Sequence, residues 1–211
     1  MDRGSFSVEV IFTLFALKCL YPTGLFLTRG NHETKAMNSL YGFEGEVRAK
    51  YNETMVKLFA EVFRCLPLGA VLGGKVFVVH GGLFSRDDVT LDEIRAIDRF
   101  REPPDEVRVS PRPPGRACSL APAQGLMCEM LWSDPQQGLG RSPSKRGVGV
   151  AFGADVTKNF LQRNSLSLLV RSHEVKEEGF EARPAVRAPR PPCLPADAAP
   201  PPPRSCTTAA A

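Results

Sequence analysis

The chain has no Cys-x-x-Cys pair, only three histidines, one tryptophan, and two prolines in its first 102 residues. Each shortage excludes something. The six cysteines (19, 65, 118, 128, 193 and 206) outline neither a disulfide framework nor a zinc ribbon, and they read as reduced intracellular thiols. The apolar run from Val8 to Leu20 is too short to span a bilayer, and Glu9 and Lys18 interrupt it. It has no basic leader and no small-residue cleavage site, so no signal peptide and no membrane partner are expected. The expected location is cytoplasmic and/or nuclear. Net charge is +4, but no Lys/Arg run has the density of a nucleic-acid stripe, so no nucleic-acid partner is expected.

Seventeen of the nineteen prolines lie beyond residue 102, nine of them between 184 and 203, and no aromatic side chain follows Phe180. That distribution predicts one compact region and a disordered or polyproline-like tail. The expected division is 1–104 as the first part of a folded domain, 105–124 as a Pro/Arg-rich insertion, 125–181 as its continuation, and 182–211 as the tail.

Residues 5–20 can begin with a serine cap and are apolar nearly all round, which predicts a buried helix. GLFLT (24–28), KVFVV (75–79) and SLSLLV (165–170) are short apolar runs of strand length. Residues 44–66 carry Val47, Tyr51, Met55, Phe59 and Phe63 four apart, a helical face. Thr90 and Glu93 form a capping box ahead of Leu91, Ile94, Ile97 and Phe100. Residues 103–124 have no period and read as loop, with order resuming at GLMCEMLWSDP.

The three histidines follow those three strand candidates: GLFLT-RGNHE, KVFVV-HGG and SLSLLV-RSHE. In open α/β sheets, ligands bind beyond the carboxyl ends of strands. Neutral imidazole is a metal ligand and also a general acid or base. One such histidine alone is better read as a strand cap or a backbone partner. Three at three strand ends, with none elsewhere, point to a shared site. Asn31 offers an oxygen ligand, and Gly81 and Gly82 allow close backbone approach to an ion or phosphate. Arg3, Arg146 and Arg171 lie in or beside the same turns, and guanidinium suits a bidentate grip on phosphate. Arg29 is expected to be solvated at the surface. The residues together predict a metal-assisted phosphoester site.

With RGNHE, HGG, LWSDP, KRGV and RSHE in that order, the chain resembles the metal-dependent phosphoprotein phosphatases that act on serine and threonine phosphates. The resemblance runs from residue 2 to about 104 and from about 125 to 181. It implies an α/β fold of metallophosphoesterase type, a β-sandwich flanked by helices, incomplete here at both ends. It also implies two divalent ions of manganese, iron or zinc type. By resemblance Asn31, His80 and His173 bind the second ion. His32 is the general acid, and Asp2 holds it. Arg3, Arg146, Asn31 and His32 contact the substrate phosphate.

The chain departs from that family in three places. The Asp-x-His motif of the first metal is absent. Of Gly-Asp-x-Val-Asp-Arg-Gly only Asp2-Arg3-Gly4 is present, with Met1 in the valine position. Ligands for one metal site only are therefore expected. Residues 105–124 and the tail share a Pro/Arg/Ala/Cys composition foreign to the family, as translated intron or frame-shifted sequence has. The expected function is a protein serine/threonine phosphatase of impaired activity acting on phosphoserine and phosphothreonine proteins. The alternative is a non-catalytic isoform that binds phosphoprotein partners. A nuclease is disfavoured by LWSDP and KRGV. No tetratricopeptide repeat is present, so partner contacts made through such repeats are not expected.

Overall fold

A computed structural model describes residues 1–2, 4–104 and 122–183, without the side chains of 122–124. The tail from 184 and most of the 105–124 segment lie outside the described residues. Among the described residues seven helices and six strands follow in the order α1 (Ser7–Leu20), α2 (Lys35–Tyr41), α3 (Phe43–Lys50), α4 (Glu53–Cys65), β1 (Gly69–Leu72), β2 (Val76–Val79), α5 (Leu91–Arg95), α6 (Pro122–Trp132), β3 (Asp134–Pro135), β4 (Arg141–Pro143), β5 (Val150–Phe152), α7 (Ala154–Arg163) and β6 (Leu168–Arg171).

The strands form two sheets of three. In the first, β2 pairs antiparallel with β1 and parallel with β6; in the second, β5 pairs parallel with β3 and antiparallel with β4. The β1–β2 hairpin turns at Gly73 and Gly74, both at positive φ, where side chains with a Cβ are disfavoured. Both sheets feed one core. Phe77 and Val79 of β2 and Phe152 of β5 pack with Met127, Met130 and Leu131 of α6 and with Val156 and Phe160 of α7. A second cluster joins Val8 and Ile11 of α1 to Phe43, Val47, Phe59 and Phe63 of α3 and α4.

The strand expected at 75–79 forms as β2, the one expected at 165–170 begins only at Leu168 and runs to Arg171 as β6, and the Thr90–Glu93 capping box is made. Five readings need correction. The run 24–28 pairs with no strand among the described residues, and Phe26 is exposed. A short apolar run has strand length, but a strand also needs a neighbour to hydrogen-bond. The helix expected over 44–66 is two helices, because Asn52 caps α4 by accepting from Met55 N at 3.0 Å and Tyr51 falls at the break, half exposed. The helix from Ser7 is not buried all round: only Ser7, Val8 and Ile11 are buried, while Val10, Leu17 and Leu20 face outward. Nor does a serine cap it. The Glu46 carboxylate reaches across from α3 and accepts from Ser7 N and Val8 N at 3.2 and 3.0 Å. Finally, α6 starts three residues before the expected resumption of order, at Pro122, a residue suited to a first helical position because its missing N–H has no helical partner.

Candidate active site

The parallel register of β2 and β6 builds the site. Val79 pairs with Arg171, so His80 and Ser172 leave the sheet side by side, with His173 one step on. His80 Nε2 lies 2.8 Å from Asn31 Oδ1 and 3.0 Å from His173 Nδ1. Asn31 is buried in the turn before α2. His173 sits at φ +76°, a left-handed conformation rare outside glycine, and its ring meets Trp132 edge to face at 5.7 Å. His173 Nε2 is buried without a hydrogen-bond partner among the described residues.

Burial drives the His80 pKa down to about 3, and the positive charges of His173, Arg171, His32 and Arg146 add to it. Burial and Arg146 bring His173 down to about 4, with Asp134 opposing and Arg171 and His32 reinforcing. Both rings are therefore neutral at pH 7, with lone pairs to share. His80 Nε2 faces an amide oxygen and a second ring nitrogen, and it carries one proton at most. His80 Nε2, with the His173 ring nitrogen and the Asn31 amide oxygen both within 3.0 Å of it, makes a donor trio that fits a first-row divalent cation. Among the described residues no group of three or more His, Cys, Asp or Glu side chains is placed to hold a metal. The trio depends on its asparagine.

His32 is built differently. Its Nδ1 lies 2.8 Å from Asp2 Oδ2. Asp2 is 4% exposed and also accepts from Phe43 N at 2.9 Å and Asn38 Nδ2 at 3.3 Å. Asn38 donates to the His32 carbonyl as well, and Tyr41 packs against the ring at 4.8 Å. With Nδ1–H given to the carboxylate, Nε2 is the nitrogen left for proton transfer.

Arg146 donates from Nε to Asp134 at 2.5 Å and from Nη2 to the His173 carbonyl at 3.3 Å, so the fold brings it to the same site. The other Asp134 oxygen accepts from Arg171 at 2.7 Å. Burial pushes the Asp134 carboxyl upward, but Arg146, His173 and Arg171 outweigh it and hold it below its ordinary value. Arg171 also donates to the Gly81 carbonyl and Glu174, which makes it a structural tie rather than a free phosphate ligand. Arg3 lies outside the described residues.

Two sequence readings fail here. Arg29 is 0% exposed, not solvated: it donates to the carbonyls of Glu33, Arg99 and Arg101 and pins the turn before α2 to the segment after α5. Gly81 and Gly82 do not open the backbone to a ligand. A Cβ at 81 would stand 2.5 Å from the Leu131 carbonyl carbon, and one at 82 would strike the Phe152 ring, so these glycines let β2 run close under α6 and β5. Sequence reasoning missed Asn38 and Asp134 as supports, because an amide in a helix and an acid in a two-residue strand carry no local signal of what they will meet.

Fold and site together define a metallophosphoesterase. The chain belongs to the calcineurin-like phosphoesterase family, whose model matches residues 1–177. That membership implies a divalent metal cofactor. Among curated proteins it is similar to serine/threonine-protein phosphatase 5 of Arabidopsis thaliana, 64% identical over 86% of this chain and 30% of that protein. The human protein of the same name is 57% identical over 86% of this chain and 33% of its own length. A solved structure of a protein serine/threonine phosphatase from Saccharomyces cerevisiae, described as similar to human phosphatase PP5, superposes with a TM-score of 0.72 at 41% identity, covering 83% of this chain and 50% of that one. The chain spans about a third of the length of these curated relatives.

Proposed function

We propose that the chain carries a protein serine/threonine phosphatase site that hydrolyses phosphomonoesters of phosphoserine and phosphothreonine proteins. The observation that carries this reading is the pairing of two unlike histidine environments, a neutral donor trio and an acid-held imidazole, at one end of one sheet. Asn31, His80 and His173 would hold a divalent ion of manganese, iron or zinc type. Such an ion polarises a phosphoryl oxygen and lowers the pKa of bound water. Asp2 orients His32, which hands a proton to the departing serine or threonine alkoxide, a poor leaving group unless protonated. Arg146, steered by Asp134, grips the phosphate, with Asn31, His32 and Arg3 assisting.

In the family's two-ion arrangement, the residues assigned here serve one ion. Slow turnover by the chain alone is expected, because a single ion would supply less activation of water than two would. A non-catalytic isoform that holds phosphoprotein partners through Arg146 and His32 is the second reading. The site chemistry and the lack of any Cys-x-x-Cys pair in the sequence support work in the cytoplasm and/or nucleus.

Phosphopeptide hydrolysis by the purified chain in Mn2+, together with counting of bound ions, tests this. Turnover that disappears in His32→Ala supports the enzyme. Phosphopeptide binding without turnover supports the second reading. If the chain neither binds nor hydrolyses the phosphopeptide, the phosphatase reading fails.

A further inference from the structure

His80 turns one ring nitrogen toward Asn31 and His173, and its other nitrogen decides whether that arrangement works. An imidazole that offers Nε2 as a lone pair must keep its proton on Nδ1. His80 Nδ1 faces Ser172 Oγ at 3.1 Å. The backbone joins the same two residues, since Ser172 N–H donates to the His80 carbonyl at 3.1 Å. The parallel β2–β6 register places them at one level, where side chains of neighbouring strands emerge on one face. A hydroxyl accepts from one N–H while its own hydrogen turns elsewhere, and exposed Ser172 has water to receive that hydrogen. Gly30 keeps the space around Nδ1 open, because a Cβ there would come within 2.9 Å of that nitrogen.

We infer that Ser172 is a positioning residue that holds His80 in the Nδ1–H tautomer and so aims its Nε2 lone pair into the donor trio. The inference rests on the metal reading above. A partner on the outer nitrogen of a metal-binding histidine commonly shifts affinity by about 10- to 100-fold.

The test uses the whole chain with 15N-labelled histidine. Ring-nitrogen shifts of the Zn2+-loaded protein report the His80 tautomer, since without a cation Nε2 keeps a proton to donate to Asn31 Oδ1 at 2.8 Å, and calorimetric titration with Mn2+ reports affinity. The expected result is a dominant Nδ1–H form. Ser172→Ala mixes the tautomers and weakens Mn2+ binding by about 10- to 100-fold, while Ser172→Thr preserves both. Ser172→Cys, which keeps a weak acceptor, replaces the alanine variant if that one fails to fold, and an intermediate loss is expected. Wild-type tautomer and wild-type Mn2+ affinity in Ser172→Ala overturn the inference and leave the metal reading standing. If His80→Ala itself leaves Mn2+ affinity unchanged, the metal reading is overturned and the inference with it.

Discussion

His80 and His173 lie a few ångströms apart under shared burial, whereas His32 stands against a buried carboxylate. The first environment keeps imidazole neutral, and the second holds one against a carboxylate. The same side chain is thus given a free lone pair in one place and a fixed carboxylate partner in the other. What differs is the neighbour each backbone element supplies: a parallel strand for the pair, and the N-terminal turn for His32.

Removing a member of the donor trio should have the largest effect. His80→Ala is expected to abolish stoichiometric Mn2+ binding by calorimetry, and retained one-to-one binding would erase the distinction between the two environments. His32→Gln should lower phosphopeptide turnover by about 10² to 10⁴, the usual worth of a general acid, while leaving Mn2+ affinity intact. A joint loss of metal and rate would merge the two environments into one. Phe77→Ala, in the core beneath the pair, should cost about 3–5 kcal/mol of unfolding free energy in urea titration.

The smallest effect belongs far from both histidine sites. Burial pushes the Glu46 carboxyl upward, but the N–H groups of Val8 and Ser7 and the Lys50 ammonium outweigh it and hold it below its ordinary 4.5. A lowered folded value means that its stabilisation is complete above pH 4.5 and fades as pH falls through the folded value. Glu46→Ala should cost about 0.5–2 kcal/mol at neutral pH, as loss of a helix cap does. That difference should shrink in urea titrations below pH 4.5. A difference independent of pH would show that packing, not the carboxylate, docks α1.

The order of the three histidines after apolar runs was legible because a short strand and the polar turn behind it are local patterns. His80 and His173 do meet as that pattern suggests. His32 follows a run that is no strand, and its place is set by Asp2, Asn38 and the buried Arg29 instead. The misread arginine is instructive. Charge predicts a solvated side chain, but the nearby Glu33 carbonyl and the distant carbonyls of Arg99 and Arg101 hold Arg29 in the interior. The same holds for the exposed side of α1. Its apolar composition announced burial, and only the packing of α3 and α4 shows that one short face is covered.

From the sequence alone came the residue types, their order, the capping of α5 by Thr90 and Glu93, and the family of phosphoesterases to which the chain belongs. These depend on spacing along the chain, which sequence states directly. Tertiary structure decided which nitrogen of His80 faces which neighbour, that Gly81 and Gly82 serve packing, and that Glu46 caps a helix 38 residues away. Those outcomes depend on strand register and on contacts between distant segments. A hydrogen bond across such a separation forms only once the core has brought its two ends together.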